Sequence, residues 1–166
     1  MPALLHSPNA RPNARTASGT SRGNPSGWSR LLGLAACRGT RFRFQPAASE
    51  GVARCVVLRV KRGKRTLRHV LAVVPEGGAL DLVAVARLYG AGSASFVTPE
   101  TAASVTGFSG PLAPYSADPA VELIVDQRLG GLPEMVFNDI RPDVSIAFDT
   151  GDLLALARPR LGAITA

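Results

Sequence analysis

Two cysteines and two histidines are the residues of this chain best suited to act as nucleophiles, bases or metal ligands. Cys37 and Cys55 lack the spacing of a zinc site, and His6 and His69 lie far from any paired ligand pattern. Cys55 and Ser109 could each attack an electrophile, but neither has a base close to it in the sequence. The sequence therefore predicts no metal or other cofactor, no disulfide framework and no nucleophile with a sequence-adjacent base.

A stretch rich in glycine and proline is the second candidate for chemistry. It reads TGFSGPLAPYS and covers residues 106–116. Gly107 and Gly110 allow positive φ or a close approach to another molecule, whereas Pro111 and Pro114 fix φ and remove amide donors. One interpretation is an ordinary connector between a helix and a strand. The other is a rigid binding loop.

The spacing of apolar residues predicts the helices and strands that would position these residues. Runs at residues 54–61 and 66–74 flank a short glycine-containing link and predict a β-hairpin. Helices are predicted over residues 80–89, from Thr98 to near Gly107, and from Asp149 or Thr150 to Pro159. Strands are predicted over residues 121–126 and 144–148. Together they indicate an α+β domain over residues 50–162.

The hairpin carries three features with more than one interpretation. His69 is expected to be a partly buried strand residue, with catalysis as the alternative. Cys55 is expected to be a small core residue. The basic residues at the hairpin tip indicate either a solvated turn or a phosphate contact; they are Lys61, Arg62, Lys64, Arg65 and Arg68.

The net charge of +7 lies entirely in the first 49 residues. This segment holds seven arginines, no lysine and no acid, while the remainder has equal numbers of basic and acidic residues. We expect residues 1 to about 35 to be disordered, because their Ser, Gly, Pro and Arg content offers little apolar surface to bury. The segment 1–49 is a targeting sequence, a basic arm that contacts RNA, or an extension from a start assigned too early. No stretch has the roughly 18 to 20 apolar residues of a membrane span, which predicts a cytoplasmic protein unless the extension directs it to an organelle.

Several blocks, taken in order, resemble the YbaK/prolyl-tRNA synthetase-associated domain family of trans-editing aminoacyl-tRNA deacylases. The blocks are ARCVVLRVKRGKRTLRHVLAVVPEGGALDL, TPETAASVTGFSGPLAP, VELIVD, FNDIRPDVSI and DLLALARP, and they span residues 52–159. The resemblance implies a YbaK-like mixed β-sheet or barrel with short surrounding helices. It also implies hydrolysis of the ester of mischarged tRNA by positioned water, assisted by the terminal ribose hydroxyl. Aminoacyl-tRNA is then the partner, with an aminoacyl-tRNA synthetase as a second one; the oligomeric state is not implied.

The resemblance also implies site residues. GPLAP looks like the family's Gly-x-x-x-Pro loop, so Gly110 is a candidate catalytic residue and Pro111 and Pro114 are candidate substrate-binding residues. Backbone amides on such a rigid loop suit a developing oxyanion because they need no reorganisation. Arg54 occupies the position of a family lysine and is a candidate catalytic residue, since it can pair with the terminal phosphate or carbonyl. The family's strand and helices upstream of that position are matched weakly by RFRFQPAASEG.

The FNDIRPD block supplies the remaining candidates. Asn138 and Arg141 are candidate substrate-binding residues, and Asp143 is a candidate catalytic carboxylate that orients a substrate amine or a water. The alternative for Asp143 is a cap at the entry to a strand. Ile140 stands where the family often has glycine, which predicts a narrower pocket or a tilted loop.

Three functions follow from these observations. The first is an aminoacyl-tRNA deacylase. The second is a weak or inactive relative that still binds aminoacyl-tRNA or a synthetase, favoured by Arg54 and Ile140. The third is an RNA-binding protein that acts through its basic arm, for which a steep salt dependence of binding would be diagnostic.

Overall fold

A computed structural model describes residues 26–166, except for the side chains of Asp139 and Ile140. Expectations about residues 1–25, and about the effect of the Ile140 side chain, lie outside this described part. The helices described are α1 (Gly27–Arg38), α2 (Leu82–Leu88), α3 (Pro99–Thr106), α4 (Gln127–Gly130) and α5 (Thr150–Ala157). The strands are β1 (Phe42–Pro46), β2 (Val52–Arg62), β3 (Arg65–Pro75), β4 (Ser93–Phe96), β5 (Glu122–Asp126), β6 (Glu134–Arg141), β7 (Val144–Asp149) and β8 (Arg160–Gly162).

The described strands form one mixed sheet in the order β1-β7-β6-β2-β3-β5-β8. The long hairpin of β2 and β3 lies at its centre, paired antiparallel from Ala53 and Pro75 to the turn at Gly63 and Lys64. Strand β2 has a different second neighbour at each end, since its start pairs parallel with β6 and its far half pairs antiparallel with β4. Strand β2 is therefore hydrogen-bonded to other strands along both of its edges. The predicted α+β fold with short surrounding helices is confirmed.

The alternation of side chains along the hairpin creates two apolar faces. On one face Leu58, Val70 and Val74 are fully buried and pack beneath α2. On the other face Val57 and Leu71 pack against α3, and this cluster continues into a larger one beneath α1 and α5. The loop with Gly110 and the helix before it therefore belong to the second face.

Helix α1 belongs to the core. Ser26 caps it, its Oγ accepting from the N–H of Ser29 at 3.1 Å, and Gly39 ends it in the left-handed conformation. Trp28 is 4% exposed, and its ring lies 5.2 Å from that of Phe137. The expected disorder is therefore wrong for residues 27–35, which belong to this helix. The apolar residues of α1 recur at helical spacing and pack against β6 and β7. The prediction of disorder rested on the average composition of the segment, which does not reveal this spacing.

Most predicted elements are confirmed, with shifts of one or two residues at their ends. The hairpin, α2, α3 and α5 lie where the patterning placed them, and Asp81, Thr98 and Asp149 cap the three helices. Strands β1, β4, β6 and β8 and the helices α1 and α4 were not predicted from the patterning. No helix in residues 26–166 is long and apolar enough to cross a membrane.

The edge strand β1 is tied to the N-terminus of α5 by Arg41. Its guanidinium lies 2.8 Å from a carboxylate oxygen of Asp152 and 3.1 Å from one of Asp149. Hydrogen bonds from Arg41 lower the pKa of Asp152 below its ordinary value. Because Arg41 is largely exposed, we expect this pair to fix the position of β1 more than to add stability.

Candidate functional site

The loop that follows α3 is fixed at its start by hydrogen bonds. Gly107 has a φ of +83° and ends the helix, its N–H donating to the carbonyl of Ala103 at 2.9 Å. Thr106 is buried, and its hydroxyl donates to the carbonyl of Ala102 at 2.8 Å. The N–H of Ala117 returns to the carbonyl of Thr106 at 2.9 Å and closes the loop. The segment is therefore an ordered loop whose two ends are hydrogen-bonded to each other.

Aromatic and proline side chains hold the interior of the loop. Phe108 is 7% exposed, and its ring lies 5.8 Å from the ring of Tyr115. Ala113 and Pro114 are buried, whereas Gly110 and Pro111 are exposed. The loop thus presents its Gly-Pro tip to solvent on a packed base.

Gly110 is the residue whose backbone most restricts the choice of side chain. Its φ of +87° is one that residues with a Cβ rarely adopt, and no other atom lies within 4 Å of the place a Cβ would occupy. Conformation, and not crowding within the protein, therefore favours glycine here. The open space leaves the backbone accessible to a bound molecule.

A cavity of about 380 Å³ lies between this loop, α3 and the face of β2. We call it the Gly110 cavity. Its lining is mostly small and apolar, and consists of Cys55, Val56, Val57, Val97, Pro99, Ala102, Ala103, Gly110 and Leu112. The N-terminal turn of α3 contributes Pro99, so the positive end of the helix dipole lies at the rim. The arrangement can accept a small apolar or weakly polar group next to exposed backbone.

Pro114 lines a second cavity on the other side of the loop. This cavity has a volume of about 320 Å³ and is bounded by α1, β3, β5 and the end of α5, with Tyr115 and Arg158 in its wall. The two ends of the predicted Gly-x-x-x-Pro loop therefore border different cavities. Gly110 and Pro111 stay the candidates for direct contact with a substrate, and Pro114 lies in the packed base.

The structure places Arg54 on the sheet face opposite to the Gly110 cavity. Its strand neighbours Cys55 and Val57 line the cavity, and its cross-strand partner Val74 belongs to the cluster beneath α2. The parallel pairing of β2 with β6 joins Val52 with Val136 and Ala53 with Phe137, and it ends there. Arg54 and Asn138 are thus each the first residue beyond the paired stretch, and Arg54 is not among the residues that line the Gly110 cavity.

Asn138 is bonded within the protein. Its Nδ2 donates to the carbonyl of Ala48 at 3.0 Å, and its Oδ1 accepts from the hydroxyl of Ser145. The same hydroxyl accepts from the N–H of Ala48 at 2.8 Å. Sequence reasoning did not select the buried Ser145. A polar residue at an inward position of the otherwise apolar VSIAF strand was the signal that could have found it.

Arg141 and Asp143 lie at the turn between β6 and β7, and both are exposed. Arg141 pairs with Val144 across the turn, and the backbone carbonyl of Asp143 accepts from the N–H of Ala47 at 3.1 Å. Neither residue lines the Gly110 cavity. The turn thus forms a second group of predicted site residues with Asn138, attached to the segment that joins β1 to β2.

His69 lies in β3 opposite Arg59 and is half-buried, as predicted. Its Nε2 is buried without a hydrogen-bond partner among the described residues. Burial, followed by the charge of Arg59, lowers the pKa of His69 below its ordinary value of 6.5. The imidazole is therefore neutral at physiological pH. In residues 26–166, no three His, Cys, Asp or Glu side chains are grouped so that they could hold a metal ion.

Comparison with known proteins identifies the family. The model of the aminoacyl-tRNA editing domain matches residues 43–156. A curated relative, the multifunctional Ser/Thr-tRNA deacylase ProXp-y of Escherichia coli (strain K12), is 32% identical over 111 residues, and the match spans 66% of this chain and 66% of the relative.

Solved structures show the same fold. A protein proposed as a trans-editing enzyme for prolyl tRNA synthetase superposes with a TM-score of 0.63 at 21% identity, over 83% of this chain and 96% of the other. The protein APE2540 superposes with a TM-score of 0.65 at 14% identity, over 82% and 99%. The family model covers more than half of the chain and agrees with the ordered sequence blocks and the mixed sheet. The chain belongs to the aminoacyl-tRNA editing domain family.

Proposed function

We propose that this protein is an aminoacyl-tRNA deacylase that hydrolyses the ester of a mischarged tRNA. The observation that carries the proposal is Gly110, an exposed glycine at a φ of +87° on the rim of a small cavity. An ester carbonyl placed against such backbone can develop negative charge close to N–H donors that are already oriented. The family membership supplies the reaction class.

The loop backbone would hold the oxyanion. Gly110 and Leu112 line the cavity and retain their N–H groups, whereas Pro111 between them has none and restricts the backbone. The attacking water would be positioned with the help of the terminal ribose hydroxyl of the substrate. Such a reaction uses neither a cysteine nor a serine nucleophile of the protein.

Arg54 is assigned to the terminal phosphate and not to the carbonyl. Its position away from the lining of the cavity supports this choice. A guanidinium can bind two phosphate oxygens at once, which makes arginine a suitable replacement for lysine in this role. Asn138 and Arg141 would complete the contact with the terminal nucleotide, and Asp143 would orient the substrate amine or a water.

The substrate class is a small amino acid, such as alanine, cysteine, serine or threonine. The Gly110 cavity has about 380 Å³ and no charged side chain in its lining. The name of the curated relative specifies serine and threonine. Because one methylene is worth only roughly 1 to 3 kcal/mol of discrimination, several small side chains would be accepted.

The test is a deacylation assay of the purified chain on a panel of aminoacyl-tRNAs, without ATP, and with and without a chelator. We expect release of one or more small amino acids at a rate that the chelator does not change. No release from any aminoacyl-tRNA would overturn the proposal. Loss of turnover in chelator would show that hydrolysis depends on a metal.

A weak or inactive relative that binds aminoacyl-tRNA is the second candidate. The position of Arg54 on the other sheet face favours it, since this residue then contributes little to the reacting carbonyl. Binding of a non-hydrolysable aminoacyl-tRNA analogue, together with no turnover on the panel, would be the expected result. In that case an Arg54→Lys variant should recover some hydrolysis.

A further inference from the structure

The far half of the central hairpin, residues 59–69, has an uncompensated positive charge. It reads RVKRGKRTLRH and contains six arginines and lysines and no acidic residue. We call it the distal hairpin. The adjoining strand β4 reads SASF and also contains no acid. Two of these three strands are thus basic along their outer half, and the third is neutral.

Few of these charges are used inside the described protein. Arg68 pairs with Glu122 at 2.6 Å, and Arg62 donates to the carbonyl of Gly90 at 2.8 Å. No ion pair in residues 26–166 involves Arg59, Lys61 or the turn residues Lys64 and Arg65. Both turn residues are exposed to solvent. Their positive charge is therefore available to an external anion.

The distal hairpin continues the surface of the Gly110 cavity. Val57 lines the cavity, and Arg59 is the next residue of β2 on the same face, about 7 Å further along the strand. In the register of the sheet, Arg59 lies opposite His69 of β3 on one side and opposite Ser95 of β4 on the other. Val97, two residues beyond Ser95, also lines the cavity. A chain leaving the cavity in this direction would first meet Arg59.

We propose that the distal hairpin binds backbone phosphates of an RNA strand whose 3′ end enters the Gly110 cavity. The proposal rests on the proposed function, which places an acyl ester of RNA in that cavity. From Arg59 to the turn the hairpin spans about 17 Å, and a polynucleotide strand carries one phosphate for each nucleotide along this length. Flexible lysines and arginines without internal partners suit such contacts, which fix position without reading sequence.

The test measures binding of uncharged tRNA by fluorescence anisotropy across about 50 to 300 mM salt. The variant is the triple exchange Lys61→Gln, Lys64→Gln and Arg65→Gln. Each phosphate contact contributes roughly 0.7 to 0.9 to the slope of log K against log salt, so the variant should lower the slope by about 2. The control removes the same charge from exposed residues elsewhere, by exchanging Arg30, Arg38 and Arg128 for glutamine.

A slope that changes in the hairpin variant alone supports the proposal. An unchanged slope overturns it, and so does an equal loss in the control, which would mean that net charge and not this surface matters. A third variant that keeps the charges, Lys61→Arg with Lys64→Arg and Arg65→Lys, should bind as the parent does. Circular dichroism verifies that the variants fold.

A second measurement separates this proposal from the proposed function. An aminoacyl ester of adenosine has no phosphate, so the glutamine variant should hydrolyse it at the parental rate while its KM for aminoacyl-tRNA rises about tenfold or more. If the parent hydrolyses neither substrate, the proposed function fails, and the binding of uncharged tRNA still decides the role of the hairpin. A variant impaired equally on both substrates would place these residues in the cavity chemistry and overturn the phosphate assignment.

Discussion

The Gly110 loop and the β6–β7 hairpin both carry candidate site residues, and they differ in how those residues are held. Gly110 is placed by its own φ and by the packed base of the loop, and only its chain neighbours lie within 4 Å of the place a Cβ would occupy. Asn138 is placed by bonds to Ser145 and to Ala48, which lies 90 residues away in the chain. The loop therefore keeps its backbone free for a ligand, while the hairpin uses a polar side chain to hold the protein together. A polar residue that matches a family motif can serve either purpose.

The largest effect, a loss of stability, is expected from replacing Trp28, which packs beneath the β6–β7 hairpin. Its ring packs against Phe137 of β6 and Phe148 of β7. Trp28→Ala should lower the free energy of unfolding by about 3 to 5 kcal/mol, since it removes a buried aromatic side chain. Urea unfolding measures this loss, with the exposed neighbour Arg30→Ala as control. Equal stability of the two variants would mean that α1 is not part of the core.

The second effect concerns the loop itself. Gly110→Ala introduces a Cβ at a φ of +87° and displaces the backbone that would hold the oxyanion. We expect turnover on aminoacyl-tRNA to fall roughly a hundredfold. Gly77→Ala is a matched control, because Gly77 has a φ of +85°, has equally open space and does not line the Gly110 cavity. If both variants lose the same activity, general strain and not the loop is responsible.

Arg54 links the two regions, since its strand β2 pairs with β6 and also lines the cavity. If its guanidinium holds the substrate end, Arg54→Ala removes a charge-assisted contact of about 1.5 to 3 kcal/mol and lowers turnover roughly ten- to a hundredfold. Arg54→Lys should keep or raise the rate. An Arg54→Ala protein as active as the parent, while Gly110→Ala is inactive, would remove Arg54 from the site.

A pair of substitutions separates the two uses of polar residues at the β6–β7 hairpin. Asn138→Ala removes the donor to the Ala48 carbonyl and the acceptor of the Ser145 hydroxyl, and it should cost about 1 to 3 kcal/mol of stability. Asp143→Ala alters an exposed side chain and should leave stability almost unchanged while lowering turnover. Thermal unfolding and deacylation are measured on both. Loss of turnover in Asn138→Ala at full stability would mean that Asn138 contacts the substrate and adds nothing to the stability of the fold.

The smallest expected effect is the contribution of His69 to the pH dependence of the free energy of unfolding. Its pKa in the folded protein is lowered by burial and by Arg59, so the unfolded chain binds more protons as the pH falls below about 6.5. The contribution of His69 to stability is therefore lost on acidification. His69→Gln should reduce the drop in unfolding free energy between about pH 7 and pH 5. Parallel pH profiles for parent and variant would contradict this.

The sequence was sufficient where a local constraint acts on a few neighbouring residues. The link around Gly63 predicted the hairpin, and Thr98 and Asp149 predicted helix starts that the structure confirms. The missed elements depended on distant partners. In strand β6, Met135 and Phe137 point into the core. The polar residues of this strand interrupt its apolar run, and the prediction of strands relied on such runs. Strand β4 is short, and its pairing with β2 defines it more than its composition does.

By itself the sequence determined the family, the hairpin and the stiff glycine-proline loop, because ordered motifs and backbone preferences are carried by adjacent residues. Only the tertiary structure decided the face on which Arg54 lies, the bonds of Asn138 and the inclusion of α1 in the core. Strand register sets the first, since a shift of one residue reverses the face of every side chain. The other two require surfaces from segments far apart in the chain, and these meet only when the sheet forms.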